Sequence, residues 1–345
     1  MTDTAIADPL DAPTCPPALE RWLAAHVEGY RGPARLSRFT GGQSNPTFRL
    51  SAASGDYVLR RKPLGHLLPS AHAVDREFRV LAAVGRAGIP VPRVHALCRD
   101  DGVAGSMFYV MDLVPGRIFW DPRLPELTRP ERAAVFEDMG RVIAAIHALD
   151  PLVLGLGDFG RHGDYLSRQI TRWTRQYRAS ETVPIPAMDR LIDWLPANLP
   201  PEGEVRLVHG DYRLDNVMIH PTEPRIVAVL DWELSTLGDP RADFAYHCLS
   251  WRFPPELFRG LAGVDFAALG IPDEAAYLAA YSARTGQRPG EHWTFFLALS
   301  MFRIAAILQG IAQRAIHGSA ANADAREVGA KAAPIADLAW RMVRG

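Results

Sequence analysis

The sequence has little cysteine. Its three cysteines, Cys15, Cys98 and Cys248, lie far apart and form no C-x-x-C pair. That excludes a disulfide scaffold and a cysteine-zinc cluster, and it suits a reducing, cytoplasmic home. There is no surplus of charge either. Lys+Arg number 38 against 39 Asp+Glu, a formal net charge of −1. A general nucleic-acid binder needs a basic excess to meet phosphates, so no nucleic-acid partner is expected. The opening MTDTAIADPLDAPTCPP carries acids where a secretory leader carries bases, and it has no apolar core. The most apolar stretch, Phe295 to Leu308, is interrupted by Arg303 and is short for a bilayer. It reads as a buried helix, and no membrane partner is expected. Internal repeats are absent, as is the Gly-x-Ser-x-Gly of serine hydrolases.

What is present is enough for a full core. Over 345 residues, 48% are hydrophobic and 22% charged, which suits two domains or one two-lobed domain. Residues 1–17, rich in Pro, Asp and Thr, read as a flexible arm. A short helix follows from Leu19 to Val27. Short β-like runs then cover Leu36–Phe39, Thr47–Ser51 and Asp56–Arg61, separated by Gly41-Gly42 and Ser54-Gly55. Ser70–Ala87 reads as a helix that ends on Gly88, with Val74, Phe78 and Leu81 as its apolar stripe and Glu77 on the flank. Strands near Val94–Cys98 and Met107–Asp112 lead to a Pro115-Gly116 break. Beyond it the texture is helical. Thr128-Arg-Pro-Glu131 is a capping box opening a helix to about Leu149. Further helical patterns cover roughly 164–179, 187–197, 273–285, 291–316 and 322–343, around a β-like island at 205–230. The expected organisation is an arm (1–17), a small antiparallel β lobe with one helix (18–114) and a large, mostly helical lobe (115–345): an α+β, bilobal fold.

Chemistry concentrates in the island. Val208-His-Gly-Asp-Tyr-Arg-Leu-Asp-Asn-Val217 has the form H-G-D-x-x-x-x-N. Its Asp-to-Asn spacing equals that of the protein-kinase catalytic loop. Phosphoryl transfer needs a base at the acceptor hydroxyl and a neutral oxygen ligand for a metal beside it. Asp211 suits the first role and Asn216 the second, with His209 orienting the loop. Fifteen residues beyond Asn216, the apolar run Val227-Ala-Val-Leu ends in Asp231-Trp. An acid delivered at the end of a buried strand suits a second ligand for Mg²⁺, which prefers oxygen.

These segments resemble the aminoglycoside phosphotransferase family, of the protein-kinase-like fold. The resemblance rests on Phe39-Thr-Gly-Gly-Gln-Ser-Asn-Pro-Thr-Phe48, Tyr57-Val-Leu-Arg-Arg-Lys-Pro63, His209–Asn216 and Leu230-Asp-Trp-Glu-Leu-Ser-Thr-Leu-Gly-Asp-Pro240, and covers about 20–320. It is closest to the branch found as the N-terminal phosphotransferase domain of some acyl-CoA dehydrogenase-like proteins. The resemblance implies ATP, or GTP, bound between the lobes with Mg²⁺, and a small-molecule hydroxyl as acceptor. Gly42, Ser44 and Asn45 then belong to a loop over the phosphates, unless that loop is a plain hairpin turn. Arg60 stands where kinases have lysine, Lys62 competes for the role from the same strand face, and Glu77 is the ion-pair partner. Met111 and Leu113 fall in the hinge that reads the nucleotide base. Asp239 is expected to brace the loop after Asp231, and His147 to be a satisfied core histidine. Arg303 and Arg314, on the 291–316 helix, are candidates for an anionic acceptor. Arg303 is alternatively paired with a structural carboxylate. The branch points to hydroxyacyl-CoA-type acceptors, with aminoglycosides, choline-like alcohols or a non-catalytic nucleotide-binding role as alternatives.

Overall fold

Alternation of apolar residues on either side of the Ser54-Gly55 turn builds the core of the first sheet. A computed structural model describes residues 8, 10–39, 45–65, 72–317 and 324–345. The chain divides into two units. One comprises Met1–Gly116 with Val227–Glu233, the other Arg117–Ile226 with Leu234–Gly345.

The first unit opens with α1 (Pro17–His26) and carries β1 (Arg35–Arg38), β2 (Thr47–Ala52) and β3 (Gly55–Arg61). After α2 (Val74–Arg86) come β4 (Val94–Cys98), the short α3 (Asp101–Ala104) and β5 (Phe108–Asp112). The strands form one antiparallel five-stranded sheet in the order β1-β2-β3-β5-β4. The two-residue side-chain period gives each face its own job. Leu36, Phe48, Leu50, Tyr57, Leu59, Phe108 and Val110 share a core with Leu19 and Leu23 of α1. Each fully buried leucine there stabilises by about 1.5–3 kcal/mol relative to exposure. Register pairs Arg60 with Tyr109 and Val58 with Met111, so these four sit on the opposite face. There Phe78 of α2 meets Tyr109 edge-on, with ring centroids 6.1 Å apart. Gly88, just past α2, has φ +84°, the left-handed conformation that ends helices.

Residues 10–17 are not the arm expected from composition. Leu10 and Cys15 are buried in the same core, and Leu36 N–H donates to Pro13 O at 3.0 Å. Two apolar side chains sufficed to anchor a segment whose average composition reads as solvated. Residues 1–7 and 9 lie outside the described residues.

The second unit is mostly helical. Its α4 (Arg129–Ala148) starts at the expected box: the Thr128 N–H and Oγ1 donate to Glu131 at 2.7 and 2.6 Å. Next come α5 (Tyr165–Ser180), α6 (Pro186–Ala197), β6 (Arg206–Val208) and β7 (Val217–Ile219). After β8 (Ile226–Val229), β9 (Thr236–Gly238) pairs antiparallel with β6. Then follow α7 (Pro240–His247), the single turns α8 (Pro255–Phe258) and α9 (Phe266–Leu269), α10 (Glu274–Thr285), α11 (Trp293–Ile316), α12 (Ala325–Ala330) and α13 (Ala332–Arg344). The expected 322–343 helix is thus two helices broken at Lys331, and its first residues, 322 and 323, lie outside the description.

Helix α11 is the axis of this unit, packed by α5, α6, α7, α12 and α13. It runs longer than its most apolar stretch suggested. With the 3-10 turn before it, Pro289–Ile316 is long and apolar enough to cross a membrane, at a mean hydropathy of 1.8. The unit itself buries 78% of that apolar window, the position of a core helix.

Candidate active site

The sequence-predicted residues gather in two clusters, one in each unit. In the first unit β3 presents Arg60 on the face that α2 covers. Arg60 Nε donates to Glu77 Oε2 at 2.9 Å, and Nη2 reaches Asp231 Oδ1 at 3.2 Å and Glu233 Oε2 at 3.7 Å. The structure therefore brings Arg60, not Lys62, to Glu77. Lys62 lies one residue past β3, its N–H donating to Met107 O at 2.9 Å. Asp231 arrives on the segment of β8, in a backbone turn with φ +60°. Trp232 anchors that turn, buried and donating Nε1–H to Val229 O at 3.1 Å. Glu233 adds a third carboxylate around one guanidinium.

Electrostatics follows from that crowding. Burial pushes Glu77 up to about 7; Arg60 pulls it down, and Asp231 and Glu233 push it up again. Burial also opposes the charge on Arg60, but Glu77, Tyr109, Asp231 and Glu233 together hold its pKa above the ordinary value. The cluster is one positive group among carboxylates, with Asp231 about one-third exposed. Asp231, the most exposed of the three carboxylates, is the oxygen donor open to solvent.

The other expected residues of this unit are spread around its sheet. Asn45 is buried, its Oδ1 3.0 Å from His72 Nδ1. Gly42 and Ser44 lie outside the described residues. Met111, half-buried in β5, shares the Arg60 face, and Leu113 follows the end of that strand. His95 Nε2 and Asp112 Oδ1 are 2.6 Å apart beside it.

In the second unit the loop between β6 and β7 carries His209, Gly210, Asp211 and Asn216. Both Asp211 oxygens are held. Tyr246 OH donates to Oδ1 at 2.6 Å and Asn216 Nδ2 to Oδ2 at 2.8 Å. Arg213 Nε stands 3.6 Å from Oδ1. With its amide nitrogen committed to Asp211, Asn216 keeps Oδ1 as an oxygen donor. Among the described residues no group of three or more His, Cys, Asp or Glu is placed to hold an ion.

The loop's shape has identifiable causes. Gly210 has φ +83°, and a Cβ there would lie 2.7 Å from Leu234 O, so only glycine fits. His209 is fully buried, and its Nδ1 accepts the Asp211 N–H at 3.2 Å, an orienting contact. Asp243 of α7 accepts the N–H groups of His209 and Gly210, both at 2.8 Å, and stands 3.1 Å from His147 Nε2. Burial works to raise the Asp243 pKa, but the contacts to His147 and His209 outweigh it and hold it below the ordinary value. His147, with Nδ1 2.7 Å from Tyr281 OH, is the satisfied core histidine expected. Asp239 caps α7 through Arg241 N–H at 2.9 Å and pairs with that arginine's side chain at 2.6 Å.

Two residues that hold the His209–Asn216 loop escaped sequence reasoning, Asp243 and Tyr246. The available signal was a second acid in Gly238-Asp-Pro-Arg-Ala-Asp-Phe-Ala-Tyr246. An acid followed by Phe-Ala is seldom buried unless it is paired. Arg303 also differs from expectation. Its partner is not a carboxylate: Nη2 donates to Gly210 O at 2.6 Å, and the guanidinium lies 4.6 Å from the Tyr246 ring centroid and 5.4 Å from that of Trp173. Arg314 is exposed in the last turn of α11.

Beside Asp211, Tyr246 also lines a pocket of the second unit. Trp120, Phe136, Met139, Phe253, Phe258 and Ile304 make it apolar. Its charged edge is Asp215 between Arg213 and Arg259, at 2.6 and 2.7 Å, with Arg259 stacked 4.4 Å from the Trp120 ring centroid.

The profile described as "Phosphotransferase enzyme family" matches residues 35–291, most of both units. The chain belongs to this family. A Ralstonia eutropha crystal structure provisionally named an aminoglycoside phosphotransferase is 51% identical, with a TM-score of 0.87 over 95% of this chain and 97% of that one. An aminoglycoside phosphotransferase in ternary complex with ADP and hygromycin B is 18% identical at a TM-score of 0.61, covering 95% and 99% of the two chains. That likeness speaks for the fold alone: a kinase-like fold with an antiparallel β lobe and a helical lobe. Among curated relatives, mouse acyl-CoA dehydrogenase family member 10 is 47% identical over 94% of this chain, which spans 30% of it. The Arabidopsis thaliana probable acyl-CoA dehydrogenase IBR3 is 41% identical over 93%, and the chain spans 42% of it. The phosphotransferase chain thus corresponds to less than half of each of these relatives.

Proposed function

We propose that this phosphotransferase moves the γ-phosphoryl of ATP, in the presence of Mg²⁺, to a hydroxyl of a small molecule, with a hydroxyacyl-CoA as the acceptor class. The observation that carries this reading is the Asp211 carboxylate, fixed at both oxygens by neutral donors, one of which, Tyr246, also lines an apolar pocket. A carboxylate so fixed accepts or orients the proton of an alcohol, and catalysis then consists of positioning and charge stabilisation. Asn216 and Asp231 are the proposed Mg²⁺ ligands. Mg²⁺, when bound, neutralises the phosphate charge that develops during transfer. Arg60, oriented by Glu77, holds phosphate oxygens, and Met111 and Leu113 meet the base. His209 positions the loop from behind.

The pocket wall supports this acceptor class. A polycationic aminosugar is best met by unpaired carboxylates. Here Asp215, the one carboxylate among the described lining residues, is neutralised by two arginines, and apart from His247 and Ser250 the rest is aromatic or aliphatic. That wall suits an aliphatic hydroxyl compound with an anionic group near Arg259. The acyl-CoA dehydrogenase names of the relatives support the same class.

The test is a radiometric assay with γ-labelled ATP, with GTP as a second arm. The acceptor panel holds hydroxyacyl-CoAs of several chain lengths, kanamycin, choline and simple sugars. The reading expects Mg²⁺-dependent labelling of a hydroxyacyl-CoA above all others. Best turnover on kanamycin or choline contradicts the acceptor class. Nucleotide binding without any transfer contradicts the reaction and favours a non-catalytic role.

A further inference from the structure

The hydroxyl of Tyr246 has no packing task. Its ring is buried, lines the apolar pocket and lies under the Arg303 guanidinium, and phenylalanine would serve all three. The hydroxyl's bond is to Asp211 Oδ1 at 2.6 Å. Arg303 closes the arrangement, because the guanidinium over the Tyr246 ring also donates to the carbonyl of Gly210, the residue before Asp211. Loop, α7 and α11 thus form a ring of contacts: Gly210 to Arg303, Arg303 to Tyr246, Tyr246 to Asp211. Trp173 of α5 backs the guanidinium.

We infer that Tyr246 is a positioning residue of the phosphotransferase reaction, whose hydroxyl, steadied by Arg303, holds the Asp211 carboxylate in the rotamer that meets the acceptor hydroxyl. The inference rests on the proposed role of Asp211. Burial raises the Tyr246 pKa and keeps the phenol a donor at neutral pH. Arg303 acts through the loop and the ring, and makes no contact of its own with the acceptor.

The experiment uses the full chain, Mg²⁺·ATP and the panel acceptor turned over fastest. Four variants are compared: Tyr246→Phe, Arg303→Lys, Asp211→Asn and the double variant Tyr246→Phe/Asp211→Asn. Tyr246→Phe should lower kcat about 10- to 100-fold, the scale of a hydrogen bond to a charged group. KM for ATP and for acceptor should stay within about twofold, because the ring remains. In the Asp211→Asn background the same change should lower kcat by less than about twofold, since the group it positions is gone. Arg303→Lys, which keeps a donor for Gly210 O, should lose kcat and leave acceptor KM unchanged. Wild-type kcat in Tyr246→Phe overturns the inference, and so does an equal loss in both backgrounds, which marks a merely structural effect. A raised acceptor KM in Arg303→Lys overturns the part given to Arg303. If Arg303→Lys fails to fold, the Tyr246→Phe cycle alone decides. Wild-type turnover in Asp211→Asn, or no turnover on any acceptor, overturns the proposed reaction and this inference with it. A normal Asp211→Asn loss with a silent Tyr246→Phe overturns this inference alone.

Discussion

Asp211 and Glu77 are carboxylates in opposite settings. Asp211 is partly open and held by two neutral donors. Asp211→Asn keeps the shape and removes the base, so kcat should fall at least ~10²-fold with KM for ATP little changed, as steady-state kinetics will show. Glu77 is sealed against Arg60, and burial pushes its pKa to about 7, above the ~4.3 of an unfolded chain. The folded protein therefore keeps a proton there that the unfolded chain has already released. The stability this contributes is complete below about pH 4.3 and is lost as pH rises through about 7. Glutamine imitates the protonated side chain and does not titrate. The melting temperature of Glu77→Gln minus that of wild type should thus grow between about pH 5 and about pH 8. A difference that stays flat, or shrinks, over that range contradicts the buried setting of Glu77.

Elements explain what was legible in the sequence. The pairing of Arg60 with Glu77 is legible through the family resemblance, and the register of β3 and β5 puts Arg60 on the sheet face that α2 covers. The loop from His209 to Asn216 was legible because its spacing is local and Gly210 is sterically compelled. Gly210→Ala adds a Cβ 2.7 Å from Leu234 O at φ +83°. It should destabilise the protein by more than the ~1–2 kcal/mol of a left-handed non-glycine residue, measurable by denaturant unfolding. What escaped reading depends on which helix packs on which loop. Tyr246, Asp243 and Arg303 reach the loop from α7 and α11, 33 to 93 residues away in sequence. Nothing in their local spacing announces that contact. An arginine in an apolar helix suggested either a carboxylate or an anionic acceptor as partner, and within the chain it meets a carbonyl and two rings. Composition likewise misjudged residues 10–17, because burial of Leu10 and Cys15 is decided by the sheet they cover. At the strand level, Arg60→Ala should raise KM for ATP about tenfold or more and spare acceptor KM. If Lys62→Ala has that effect instead, the phosphate-binding residue has been misassigned by one pleat repeat.

At the scale of the whole molecule, charge is balanced at −1 overall, so steering of an acceptor falls to local arginines. An anionic acceptor met by Arg259 or Arg314 should bind more weakly as ionic strength rises, and Arg314→Glu should weaken it without altering KM for ATP. An acceptor KM unaffected by salt and by that reversal removes Arg314 from the acceptor's path. The central claim is transfer of a phosphoryl group to an alcohol by this chain alone, although it spans only 30% and 42% of two of its relatives. The most direct test incubates the purified chain with γ-labelled ATP, Mg²⁺ and a medium-chain hydroxyacyl-CoA, beside Asp211→Asn and a chelator control, and follows label into the organic product. Label should appear on the acceptor hydroxyl with wild type, at least ~10²-fold more slowly with Asp211→Asn, and not at all with chelator. Equal labelling by wild type and Asp211→Asn, or ATP turnover that leaves every alcohol in the panel unlabelled, would contradict the central claim.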